Sequence, residues 1–214
     1  GIPLAKIAAK VMIGKKLKDL GIGEPHICHT AVKEVLLPFN KLPGVDTVLG
    51  PEMKSTGEVM GIDYDFGRAY YKACISADNE LPVRGNIFIS VISEQKDEVI
   101  PIARKLRELG LALYGTSGTV DYLSDAGIDA HLIRKVQEGS PNVIDLLRKG
   151  EIRLIINTPS DKQSRQDHYQ IMRAAVDYGV PYITTVQAAR AAAYAIEAIE
   201  KERITIEPLA HYHQ

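Results

Sequence analysis

The sequence predicts an α/β fold: an open, mostly parallel sheet with helices on both faces, entered through a loop-rich first unit. Three observations carry this. From residue 81 onward, short apolar runs alternate with helical spacing five times. The run Asn86–Ile92, NIFISVI, is nearly continuously apolar, as strands buried on both faces of a parallel sheet are. Glycines at 110, 127, 150 and 179 each follow a helical stretch.

The elements follow in order. Residues 1–16 carry apolar side chains at helical spacing, at Ile2, Leu4, Ile7, Ala8, Val11 and Met12. Val32–Phe39 and Glu58–Ile62 read as strands, and the Gly- and Pro-rich segment 40–57 between them reads as loop. Phe66–Ile75 reads as a helix with Asp65 as its N-cap. The strand Asn86–Ile92 leads into a helix over Asp97–Leu109, with Pro101 taken to lie near its start, where a missing N–H costs least. Strand Leu111–Tyr114, helix Gly118–Asp125, strand Ala130–Ile133 and helix Asn142–Lys149 come next. Strand Arg153–Asn157, helix Lys162–Tyr178, strand Tyr182–Thr185 and the Ala-rich helix Val186–Glu200 complete the pattern. Ile204–Ile206 is expected to form a last edge strand. The change of texture places a boundary between a unit of residues 1–80 and a domain of residues 81–214.

Composition narrows the function. Across 214 residues, 26 Lys+Arg stand against 27 Asp+Glu, a balance without the basic excess of a nucleic-acid binder. No stretch approaches the roughly 20 apolar residues that span a bilayer, so no membrane partner is expected. Cys28 and Cys74 lie too far apart for a metal motif or disulfide framework, and both are expected reduced, in the cytoplasm. His26, Cys28 and His29 have metal-ligand chemistry but lack a fourth ligand, so no metal is expected.

Ligands of open α/β sheets bind beyond the carboxyl ends of the strands. There the sequence places Gly115-Thr116-Ser117-Gly118-Thr119, a glycine-rich turn opening a helix, whose N–H groups and dipole favour an anion. Arg134 and Lys135 follow the next strand, Asn157, Thr158 and Ser160 the one after, and Thr184 and Thr185 the last. Lys96 lies just past the first. Hydroxyls, an amide and two lysines at successive strand ends compose a phosphate pocket. A lone Thr or Ser at such a junction is often only a helix cap; the repetition argues for the pocket. The GTSGT turn lacks the spacing of a P-loop. Catalytic groups are scarce: Asp161 and Asp167 have the positions of helix-start acids, and His131 begins its strand at the far end.

The strings GIPLAKIAAKVM, AVKEVLLPFNKLPGVDTVLGPEMKSTGEVMG, YGTSGT, RKVQEGSPN and IINTPS resemble the carboxyl-terminal part of the carbamoyl phosphate synthase large subunit, over essentially the whole chain. The resemblance implies that residues 1–80 end an ATP-grasp half and that residues 81–214 form a methylglyoxal-synthase-like regulatory domain. It implies that Lys96, Thr116, Thr119, Lys135, Asn157 and Thr158 hold the phosphate and sugar of UMP, an inhibitor, or IMP. It assigns Glu34 and Thr184 to the activator ornithine. The implied parent is an ATP-dependent, glutamine-hydrolysing ligase that uses ATP with Mg or Mn and serves pyrimidine and arginine biosynthesis. Its nucleotide and metal ligands precede the GIPLAKIA string in the family, so this chain is expected to hold no cofactor and to be inactive alone. Expected partners are the rest of the large subunit, the glutaminase small subunit and an oligomeric assembly. Animal members answer to N-acetylglutamate, so the fold does not set the effector. A free-standing methylglyoxal synthase is the alternative; it would want an acid where Asn157-Thr158 stands.

Overall fold

The structure, a computed structural model, describes residues 2–24, 26–39, 52–158 and 164–213. Five parallel strands form the central sheet: β3 (Asn86–Ser90), β4 (Ala112–Gly115), β5 (His131–Leu132), β6 (Ile152–Asn157) and β7 (Tyr182–Ile183). Their spatial order is β5-β4-β3-β6-β7, so the chain runs outward from β3 on one side, then crosses back and runs outward on the other. The reversal puts a switch point between β3 and β6, where crevices open at the carboxyl ends of strands.

Side-chain alternation along β3 divides the core. Ile87 and Ile89, both fully buried, pack on one face with Leu113, Leu154 and Ile156. Phe88 points to the other, against Ile155, Leu147, Ile171 and Ala175. The first face is covered by α2 (Phe66–Ser76), α3 (Lys96–Glu108), α4 (Ser117–Asp125) and α7 (Val186–Lys201). The second is covered by α5 (Val143–Arg148) and α6 (Ser164–Asp177). A sheet apolar on both sides requires both layers.

The caps are local and chemical. Asp65 accepts from the Arg68 N–H at 2.9 Å, as the sequence predicts, and Thr185 accepts from the Ala188 N–H at 3.2 Å. Asn142 caps α5 through the Ile144 N–H at 2.9 Å, while Asp145 accepts from the Asn142 N–H at 3.1 Å.

Ahead of the sheet, β1 (Thr30–Leu36) and β2 (Gly57–Asp63) form an antiparallel hairpin that lies on α2. Gly61 makes this possible: a Cβ there would stand 1.9 Å from the Ala69 carbonyl oxygen and 2.4 Å from the Ala73 nitrogen. Gly67 does the same between α2 and α7, where a Cβ would meet the Tyr194 oxygen at 2.7 Å. An ion-pair cluster clamps the joint. Asp63 receives Arg68 Nη2 at 3.0 Å and Lys72 Nζ at 2.8 Å, and Arg68 also reaches Glu202 beyond α7 at 2.5 Å. The earlier α1 (Leu4–Met12) has no buried residue.

Two expectations are corrected. Residues 204–206 form no strand and Ile206 is 94% exposed, because three alternating residues supply no partner edge and little apolar area. Pro101 sits in the second turn of α3, where its ring removes an interior backbone bond. Tyr71, Cys74 and Leu81 join the main core cluster, so α2 is built into the same core as β3. The expected loop over residues 40–51 and the expected start of the helix at Lys162 lie outside the described residues.

Candidate functional site

A cleft of about 840 Å³ opens at the carboxyl ends of β3, β4 and β6. It holds five of the six residues nominated for an effector phosphate: Lys96, Thr116, Thr119, Lys135 and Asn157. Lys96 begins α3; its Nζ donates to the Gly118 carbonyl at 2.5 Å and stands 5.4 Å from the Tyr122 ring centroid. This ties the lysine to the first turn of α4, beside the N-terminal N–H groups that Thr116 precedes. The Thr116 hydroxyl makes no cap bond, which leaves it for the cleft. Thr119 is buried one turn on, on the same side. Lys135 is exposed, after β5, and Arg134 beside it donates to the Ser140 carbonyl. Neither Lys96 nor Lys135 is ion-paired among the described residues. Two lysines, two threonines and a helix N-terminus can bind a dianion.

Thr158, the sixth nominee, does not line the cleft. It is buried, its N–H donates to the Ser90 carbonyl at 3.0 Å, and its Oγ1 accepts from the Ile92 N–H at 3.2 Å. It stitches the ends of β6 and β3 together and so shapes the cleft floor. Glu34 and Thr184 also lie off the cleft. Glu34 is half-buried on β1 opposite Val59, and burial pushes its carboxyl above the usual range. Thr184 is exposed just after β7. His131 is exposed and stacks on Tyr114. Among the described residues, no group of His, Cys, Asp and Glu could hold a metal ion, and no helix is long and apolar enough to cross a membrane.

The sequence reading passed over His168. It lines the cleft from α6, three residues before buried Ile171 on the apolar face of the helix. A polar residue on that face was the available signal. Its Nδ1 lies 2.9 Å from the Tyr182 hydroxyl, which takes a hydrogen bond from Asn157 Nδ2 at 2.8 Å. Burial disfavours the charged form of both rings, lowering the pKa of His168 and raising that of Tyr182. Asp167, adjacent, accepts from Gln137 Nε2 at 3.0 Å.

The parallel five-stranded sheet and its carboxyl-end cleft define a methylglyoxal-synthase-like α/β domain, and residues 98–184 match the family model described as MGS-like domain. Over its whole length the chain corresponds to the carboxyl-terminal segment of carbamoyl phosphate synthase large chains. It is 80% identical over 212 residues to the large chain of Methanosphaerula palustris and 78% identical over 213 residues to that of Methanoculleus marisnigri. These alignments take 99% and 100% of this chain but 20% of each relative, so the chain spans about a fifth of the length of the proteins it matches. A methylglyoxal synthase from Elizabethkingia anophelis overlays 51% of this chain and 76% of its own, at 16% identity and a TM-score of 0.43.

Proposed function

We propose that this chain is the allosteric segment of a carbamoyl phosphate synthase large chain and that its cleft binds a nucleotide effector, UMP or IMP. The observation that carries the reading is the convergence of Lys96, Thr116, Thr119, Lys135 and Asn157 on one cleft at a sheet switch point. The phosphate belongs at the cationic end, on the first turn of α4 between the lysines. Thr158 serves by holding β3 and β6 in register. The parent ligase makes carbamoyl phosphate with ATP and Mg or Mn, in the cytoplasm, together with the rest of the large chain and the glutaminase subunit; this segment alone has no turnover. Glu34 and Thr184 are contact points for ornithine. A half-buried carboxylate without an ion pair among the described residues favours an incoming ammonium.

Methylglyoxal synthase activity on dihydroxyacetone phosphate is the second reading, favoured by Asp167 and His168 in the cleft. Against it, Asp167 is held by Gln137 and His168 Nδ1 by Tyr182, which leaves neither poised as a base. Calorimetry with UMP, IMP, ornithine, N-acetylglutamate and dihydroxyacetone phosphate tests both readings. Lys135→Ala removes one charge-assisted bond of about 1.5–3 kcal/mol, so UMP should weaken about 10- to 150-fold. Affinity should also fall with salt. Tighter binding of N-acetylglutamate than of either nucleotide, unchanged nucleotide affinity in Lys135→Ala, or methylglyoxal production would refute the assignment.

A further inference from the structure

The cleft has two chemically different ends. Lys96, Lys135 and the start of α4 make one end cationic, at the β4 and β5 side. At the β6 and β7 side stand Asn157 and His168, with Tyr182 behind them and the Asp167 carboxylate, held by Gln137 Nε2, beside His168; no lysine or arginine stands at that end. β4 and β6 flank β3, so about two strand spacings, roughly 10 Å, separate the two ends.

The hydrogen bonds among Asn157, Tyr182 and His168 have a direction. Asn157 Nδ2 can only donate, so at 2.8 Å the Tyr182 oxygen accepts from it. Asn157 Nδ2 also stands 3.5 Å from His168 Nδ1, so the arrangement that satisfies both neighbours has the Tyr182 hydroxyl donating to an unprotonated Nδ1 at 2.9 Å. A nitrogen that accepts carries no proton, so the neutral ring holds its hydrogen on Nε2. No described residue bonds that Nε2. His168 is one of the residues that line the cleft.

We propose that His168 is a ligand-contacting residue of this cleft, with its Nε2–H a fixed donor to an acceptor oxygen on the ribose or base of the bound nucleotide. Tyr182 and Asn157 are positioning residues that hold the tautomer. This rests on the nucleotide-effector reading and adds what recognises the part of the ligand beyond the phosphate. A ligand confined to the cationic end, such as inorganic phosphate, does not reach His168. A neutral donor also suits the neutral part of a nucleotide, because a cation there would offer a second phosphate subsite.

The test compares UMP with inorganic phosphate by calorimetry on the 214-residue chain. His168→Leu should weaken UMP about 3- to 10-fold and leave phosphate unchanged. His168→Gln, whose amide nitrogen falls near the place of Nε2, should restore most of the loss. Imidazole nitrogen NMR should find the Nε2–H tautomer in the parent chain and a mixture in Tyr182→Phe. Equal weakening of UMP and phosphate, no weakening of either, or an Nδ1–H tautomer in the parent chain would overturn the proposal while nucleotide binding stood. A parent chain that binds neither UMP nor IMP fails at the effector reading itself.

Discussion

Asp63 should be the most expensive single charge to remove from this protein. It ends β2, is 4% exposed, and has both carboxylate oxygens engaged: Oδ1 by Arg68 Nε at 3.0 Å and by the Asp65 N–H at 3.2 Å, Oδ2 by Lys72 Nζ at 2.8 Å. Burial alone would raise its pKa. The hydrogen bonds from Arg68 and Lys72 outweigh that and hold it at about 2, against 3.8 for a free Asp. A difference of about 1.8 pKa units at about 1.36 kcal/mol per unit is about 2.5 kcal/mol. Because the folded pKa is depressed, this stabilisation is complete well above pH 3.8 and is lost as pH falls through 2; about half should remain at pH 3. Asp63→Asn keeps the shape and the acceptor oxygen but loses the charge. It should cost about 2–3 kcal/mol at pH 7 and about half as much at pH 3. Urea unfolding followed by far-ultraviolet circular dichroism suits a chain without tryptophan. A loss below about 0.5 kcal/mol at pH 7, or the same loss at both pH values, would refute the view that this cluster clamps the hairpin to α2.

Two further outcomes follow from the packing. Gly61→Ala puts a methyl group into the α2 backbone and should cost about 1–3 kcal/mol or lift the hairpin off, seen as a lowered Tm and fast amide exchange in 57–63; Gly23→Ala, with nothing within 4 Å, should be neutral. Hydrogen exchange should divide the first unit, fast in Leu4–Met12, where nothing is buried, and slow in Phe66–Ser76, where Ala69 and Ala73 are fully buried. Uniform protection across both helices would contradict this.

Much of the fold was legible because its signals are local. Three contiguous apolar residues at Ile87–Ile89 and at Leu154–Ile156 can only be central strands once helical spacing surrounds them. The Asp65 cap declares itself in the same way. The cationic end of the cleft was legible too, because strand ends must meet at one edge of a parallel sheet and the threonines and lysines sit just past them. The grouping at the opposite end was not. His168 lies on α6, Tyr182 on β7 and Asn157 on β6, and they meet only because β6 and β7 pair in parallel with α6 crossing between them. Thr158 had the right chemistry and position for a ligand, but the tertiary structure turned its hydroxyl to a backbone N–H of the neighbouring strand's exit. Ile204–Ile206 had strand composition without a strand to pair with. The joint between hairpin, α2 and α7 depends on two glycines whose role is invisible until two backbones approach within a Cβ's reach. Composition and periodicity thus determined the elements and the edge of the sheet where the cleft opens. Which side chains share that edge, and which of them is left with an open donor, was decided by contacts between residues distant in sequence, because hydrogen bonds and close packing depend on positions to a fraction of an ångström and only the assembled sheet sets those positions.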